Sequence, residues 1–120
     1  PWQILYELES EDSVRTLAPD IAALAHAVEH CVIVTARGHE VDFVSRMFGP
    51  HFGVDEDPVT GSAHCLLAPF WSARLGKTTL SAWQCSARGG QLSCHFRDDR
   101  VELVGQAVTF AAGEVVAPIS

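Results

Sequence analysis

The feature that most constrains the fold is one strongly apolar helix in a chain whose other segments mostly have the pattern of strands and turns. Apolar residues recur at helical spacing over Ala63–Leu75 and include Leu66, Leu67 and Phe70. A helix that is apolar nearly all round is usually buried. Pro69, within this stretch, is expected to kink or end the helix. The sequence therefore predicts a helix at the centre of a domain.

Predicted strands stand on both sides of this helix in the sequence. Those before it are Gln3–Leu8, Cys31–Ala36 and Val41–Phe48. Those after it are separated by Gly and Asp turns and are Leu80–Ser86, Gln91–Arg97, Arg100–Val104, Ala107–Phe110 and Val115–Ala117. Of the remaining segments, Glu9–Arg15 is predicted as a charged connection, about Pro19–His30 as a second helix and Gly49–Asp57 as a loop. This pattern predicts an α+β domain with a curved sheet or barrel wrapped around a central helix.

Charge and hydropathy disfavour several classes of function. The 120 residues hold eight Lys and Arg against fifteen Asp and Glu, a net charge of −7. A nucleic-acid or anionic-membrane partner would instead favour a basic chain. No apolar run approaches the roughly 18 residues of a membrane span, and no secretory signal opens the chain. We expect one cytoplasmic domain, and the start at Pro1 rather than Met indicates that an upstream segment is missing.

The four cysteines show no C-x-x-C spacing and are expected to be reduced thiols that act as small core residues. They are Cys31, Cys65, Cys85 and Cys94. We expect Cys65, on the apolar helix, to be buried. The three tryptophans, Trp2, Trp71 and Trp83, are expected in the core or at an interface with another lobe.

The segment 55–64, with sequence DEDPVTGSAH, has the residues of an anion-binding helix start. The first amides of a helix lack internal partners and lie at the positive end of its dipole. Gly61 allows a ligand to approach the backbone, and Ser62 adds a hydroxyl donor. A simpler interpretation is that Asp57 and Thr60 only cap the helix.

Three longer segments resemble the PhzF-like, or phenazine-biosynthesis-like, isomerase family. They are residues 43–64, which contain the D-P-x-T-G-S motif, residues 84–90 (QCSARGG) and residues 100–107 (RVELVGQA). The resemblance implies a diaminopimelate-epimerase-like fold, in which two similar lobes each wrap a sheet around a central helix. It further implies that this chain is only the C-terminal lobe, that the substrate lies between the lobes, and that no metal or organic cofactor is used. The founding activity of the family is isomerisation of a dihydro-hydroxyanthranilate by proton transfer.

The resemblance also assigns roles to residues. Asp57 and Ser62 are the expected catalytic residues, and Gly61 and Ser62 are expected to hold a small carboxylated substrate. The residues themselves add Thr60, at the helix start, and Arg88, before two glycines, to the expected substrate site. The principal glutamate base and a histidine belong to the other lobe, so this chain alone is expected to be inactive. For Arg88, a solvated turn residue is an equal alternative.

Two other site types fit the sequence less well. His26 and His30 are four residues apart, as in some metal sites, but no further ligand completes a recognised spacing, so we expect no metal. A hydrolase triad of Asp57, Ser62 and His64 is disfavoured because residues two apart on a helix do not face each other.

Two functions remain open at this point. The first is part of a cofactor-independent isomerase that shifts a proton on a small carboxylated substrate, with an N-terminal lobe as partner. The second is a non-catalytic binding module in which the lone lobe forms a homodimer through its exposed cleft face.

Overall fold

The structure, a computed structural model, describes residues 2–116. Six strands form its sheet: β1 (Gln3–Glu7), β2 (Cys31–Arg37), β3 (Phe43–Phe48), β4 (Thr79–Gln84), β5 (Gly90–Arg97) and β6 (Arg100–Val104). Three α-helices accompany them: α1 (Glu11–Thr16), α2 (Ile21–Ala27) and α3 (Gly61–Leu75). One 3₁₀ turn, Pro50–Phe52, follows β3. The predicted α+β class is confirmed.

The sheet is mixed, and its strands lie side by side in chain order from β1 to β6. The pairs β1/β2 and β3/β4 are parallel, and the other three neighbouring pairs are antiparallel. Parallel neighbours need a crossover connection. Helices α1 and α2 provide the first crossover and α3 provides the second.

The sheet curls around α3 as a half-barrel. Contacts with the N terminus of α3 come from both edge strands, since Gln3 on β1 hydrogen-bonds Ser62 and Leu103 on β6 lies beside Gly61. A flat sheet of six strands would hold its two edges about 24 Å apart, too far for one helix terminus to reach both. The predicted curved sheet around a central helix is therefore confirmed.

Hydrophobic residues cover both faces of the central strands. On the inner face, Ile33, Phe43 and Leu80 pack with Leu67 and Trp71 of α3. The outer face is covered by α1 and α2, and Val14 of α1 packs there with a second group of residues from the strands: Val32, Val34, Ala36, Val44 and Phe48. Because β2 is buried on both faces from Cys31 to Ala36, this stretch is apolar at every position except Thr35 and does not alternate.

Helix α3 is buried on one face only. Leu67 is fully buried, as expected, and Phe70 is half-buried, but Leu66 is 43% exposed because it lies on the side that the half-barrel leaves open. Pro69 does not end the helix, which continues to Leu75 and ends at Gly76 in the left-handed conformation. Among the tryptophans, Trp71 is buried, Trp83 is half-buried and Trp2 is 56% exposed.

Several predicted boundaries are wrong for local reasons. Glu9–Arg15 is not a plain connection, because the Ser10 hydroxyl accepts from the Ser13 amide and begins α1. The second helix is shorter than Pro19–His30, because Asp20 caps it at Ala23 and it ends at Ala27. Ala107–Phe110 forms no strand, and neither do Val115 and Val116, since no described strand pairs with them. Ala117 lies outside the described residues.

Candidate functional site

The candidate site lies at the N terminus of α3, at the end of the half-barrel where both sheet edges meet the helix. The Gln3 side-chain amide donates to the Ser62 hydroxyl over 3.1 Å. A Cβ atom on Gly61 would lie 3.6 Å from a methyl of Leu103. Gly61 and Ser62 are themselves exposed, so the helix N terminus opens to solvent between β1 and β6.

The first amides of α3 are available to a ligand. Thr60 is the N-cap residue by backbone conformation, yet its side chain makes no capping hydrogen bond. Within residues 2–116, no group accepts a hydrogen bond from the amides of Gly61 or Ser62. Unpaired amides at the positive end of a fifteen-residue helix form an environment that favours an anion.

Asp57 is held beside this helix start instead of capping it. The Thr60 hydroxyl donates to Oδ2 of Asp57. The Asp57 amide donates to the Met47 carbonyl over 3.0 Å, which ties the loop to β3. The interpretation that Asp57 and Thr60 cap α3 is therefore wrong, because their side chains bond each other.

Gln84, the first residue of the segment 84–90, is a buried residue of the site to which sequence reasoning gave no role. Its side-chain oxygen accepts from the Thr60 amide over 2.8 Å. Its side-chain nitrogen donates to the Asp57 carbonyl over 2.8 Å and to the Thr60 hydroxyl over 3.0 Å. The available signal was a glutamine at an inward-facing position of the alternating strand β4.

Glu56 anchors the loop that carries Asp57. Its carboxylate accepts two hydrogen bonds from Arg46, of 2.7 Å and 3.0 Å. The same guanidinium donates to the carbonyls of Val14 and Leu17, which connects the loop to the region of α1. Of the three acids in the motif, Glu56 is therefore bound to Arg46, and Asp55 is exposed. Asp57 is the acid that contacts the helix start, through the Thr60 hydroxyl.

Arg88 lies apart from the helix amides. It lines an open cavity of about 1030 Å³ with Val59, Gly89 and Gly90, and neither Gly61 nor Ser62 lines that cavity. The Ser86 hydroxyl shapes the turn before Arg88 by donating to the Pro58 carbonyl and accepting from the Gly89 amide. Arg88 itself is exposed.

His64 is a neutral core residue rather than a triad member. Its Nδ1 lies 2.7 Å from the Thr60 carbonyl, and since a carbonyl only accepts, Nδ1 carries the proton. Burial lowers the pKa of His64, and the Thr60 hydrogen bond opposes this only in part. His64 hydrogen-bonds neither Asp57 nor Ser62, so the triad alternative has no support within residues 2–116.

The cysteines occupy three different environments. Cys31 and Cys94 are buried, as expected, and burial raises the pKa of the Cys94 thiol to about 11. Cys85 is half-buried. Cys65 is exposed, contrary to expectation, because it lies on the open face of α3 next to Leu66.

Residues 2–116 contain neither a candidate metal site nor a helix that could span a membrane. No group of three or more His, Cys, Asp and Glu side chains is arranged to hold a metal ion, so His26 and His30 gain no further ligand. No helix in this part of the chain has the length and apolarity needed to cross a membrane.

Comparison with known proteins agrees with this architecture. The chain is 57% identical over 113 residues to an uncharacterized isomerase of Pseudomonas aeruginosa, which covers 94% of this chain and 43% of the relative. A crystal structure of a PhzF-family phenazine biosynthesis protein from Enterococcus faecalis superposes with a TM-score of 0.87 at 46% identity, covering 92% of this chain and 43% of that one. A putative phenazine biosynthesis PhzC/PhzF protein from Clostridium difficile gives a TM-score of 0.85 at 41% identity, covering 96% and 45%.

A half-barrel curled around a central helix, matched to these structures, defines a diaminopimelate-epimerase-like fold. Residues 1–113 match the family described as phenazine biosynthesis-like protein, and the chain belongs to that family. It spans less than half the length of the relatives it matches.

Proposed function

We propose that this chain is the C-terminal lobe of a cofactor-independent isomerase that moves a proton on a small carboxylated substrate. Asp57 transfers or positions the proton. The amides of Gly61 and Ser62, with the Ser62 hydroxyl, hold the anionic group of the substrate. Thr60 holds Asp57, and Arg88 contributes a positive charge at the edge of the cleft.

The proposal rests on the position of Asp57 beside a helix start that has no side-chain cap. The Thr60 hydroxyl donates to one oxygen of the carboxylate, while the neighbouring Gly61 and Ser62 amides have no acceptor within residues 2–116. A carboxylate beside fixed amide donors suits an isomerase, because it can move a proton while the donors stabilise the charge that develops on the substrate.

The helix start lies between the two edge strands of the sheet and is exposed, which leaves room for a second lobe over this site. Gln3, at the start of the described chain, and Leu103, at the end of β6, both touch the first residues of α3. The relatives are more than twice as long as the part that this chain covers, so each has the length for a further lobe. In our proposal that additional lobe closes the cleft and supplies the glutamate base and the histidine.

The test is proton exchange with solvent. A dihydro-hydroxyanthranilate is incubated in deuterated water with the chain joined to a family N-terminal lobe, and deuterium incorporation is followed by mass spectrometry. Asp57→Asn is expected to lower the rate by about 10²–10⁴-fold, the usual contribution of a general acid or base. Asp55→Asn, which changes an exposed carboxylate two residues away, serves as the matched control. Equal rates for the two variants would contradict the role of Asp57.

A homodimeric binding module is the second candidate, and the exposed apolar residues favour it. Leu66 and Val104 are 43% and 48% exposed, and Val108 and Phe110 in the tail are 92% and 100% exposed. Soluble monomers rarely leave large contiguous apolar patches uncovered. Light scattering across a concentration series tests this candidate, which expects a dimer; a monomer at high concentration would contradict it.

A further inference from the structure

We propose that Gln84 is a positioning residue, which holds Asp57 in place and keeps the Thr60 hydroxyl away from the N terminus of α3. The inference rests on the proposed function, because Asp57 and the helix amides are the groups that it positions. Gln84 itself is fully buried on β4 and therefore acts through its neighbours rather than on a substrate.

The hydrogen bonds of Gln84 join the two ends of the segment 57–60. Its nitrogen donates to the carbonyl of Asp57, and its oxygen accepts from the amide of Thr60. A second bond from the nitrogen reaches the Thr60 hydroxyl, so both of its protons are used. One rigid side chain on the sheet thus fixes the backbone on both sides of Pro58 and Val59.

These bonds also determine what the Thr60 hydroxyl can do. A hydroxyl has one proton, and that of Thr60 is donated to Oδ2 of Asp57. One of its two lone pairs accepts from Gln84, and these two bonds together hold the hydroxyl in an orientation in which it makes no bond to the third helix amide, at Ala63. The result is a continuous chain of hydrogen bonds from Gln84 through Thr60 to Asp57.

In the other two α-helices, the side chain of the N-cap residue does cap the helix. Ser10 caps α1 by accepting from the Ser13 amide, and Asp20 caps α2 by accepting from the Ala23 amide. Helix α3 has a threonine at the same position, a residue type that also caps helices, yet Thr60 makes no capping bond. At α3 the Thr60 hydroxyl bonds Gln84 and Asp57 instead, which leaves the start of the helix open.

The first test replaces Gln84 with methionine, which has similar length but no hydrogen-bonding amide. In Gln84→Met the Thr60 hydroxyl is expected to turn and accept from Ala63, so that amide exchange at Ala63 slows about fivefold, the effect of a typical cap. The double variant Gln84→Met/Thr60→Val cannot form the cap and should lose this protection. Leu80→Ala, at a buried position on the same strand, is the control for lost stability and should not slow exchange at Ala63.

The second test uses the unaltered chain and does not depend on whether a variant folds. Nuclear Overhauser contacts are expected between the Gln84 side-chain amide and the Thr60 side chain, with slow solvent exchange of both amide protons. Rapid exchange without these contacts would overturn the proposal, as would Ala63 exchange in Gln84→Met that is not slowed relative to the unaltered chain. Failure of the proposed function is separate: it would appear as unchanged Gly61 and Ser62 amides on acetate addition, with the Gln84 signals intact.

Discussion

Substituting Leu67 with alanine tests the packing of the half-barrel on α3. Leu67 of α3 is 0% exposed and packs against the inner face of the sheet. Transfer of a buried leucine side chain contributes about 1.5–3 kcal/mol, and the cavity left behind raises the measured cost of Leu→Ala to about 2.7–5 kcal/mol. Strands β4, β5 and β6 all contact α3, which limits collapse into the cavity. We therefore expect a loss of about 4 kcal/mol, a large part of the 5–15 kcal/mol that stabilises a typical domain.

Leu66→Ala is the matched control, because Leu66 is the adjacent residue on the same helix and has the same side chain. Leu66 is 43% exposed, so its truncation leaves a surface notch rather than a cavity. We expect a loss below about 1 kcal/mol. Urea unfolding followed by tryptophan fluorescence measures both variants, since Trp71 packs in the same core. Equal losses for the two variants would refute the orientation of α3.

Three further predictions concern other parts of the chain. Arg46→Met should destabilise the chain by about 2–4 kcal/mol in thermal melts, because Glu56 and two carbonyls lose a partner in a largely buried setting; a loss below about 0.5 kcal/mol, that of a surface change, would contradict this. Burial lowers the pKa of His64 below its ordinary value of 6.5, so the unfolded chain binds a proton there first, and stability should fall as the pH drops below 6.5. This group should contribute at most about 1.4 kcal/mol of unfolding free energy per pH unit, and the total pH dependence should be smaller in His64→Asn. An unchanged pH dependence in that variant would refute the assignment. Iodoacetamide should modify exposed Cys65 well before buried Cys94, as judged by peptide mass spectrometry, and the reverse order would be inconsistent with the structure.

The central architecture was predictable because the sequence signals for it are strong. The apolar positions of residues 63–75 identify the central helix, and the apolar run at Cys31–Ala36 identifies a strand buried on both faces. The D-P-x-T-G-S motif located the helix start and Asp57. Roles for Asp57, Ser62, Thr60, Gly61 and Arg88 in binding or catalysis remain predictions.

Features that depend on long-range packing could not be predicted from local sequence. Leu66 and Cys65 belong to an apolar helix, but whether each is buried depends on where the curled sheet stops. The tail at Ala107–Phe110 has strand-forming residues, yet a strand needs a neighbour to pair with. Gln84 lies 24 positions beyond Thr60 in the sequence, and only the parallel pairing of β4 with β3 brings the two together.

The most direct measurement of the central claim is an acetate titration of the ¹⁵N-labelled chain. Acetate stands in for the substrate carboxylate, and the account predicts that the amide resonances of Gly61 and Ser62 shift together. The negative charges of Asp55 and Asp57 oppose an anion, so binding should be weak and the shifts should grow over a wide range of acetate concentration. Shifts at other amides with Gly61 and Ser62 unchanged would contradict a carboxylate site at the start of α3.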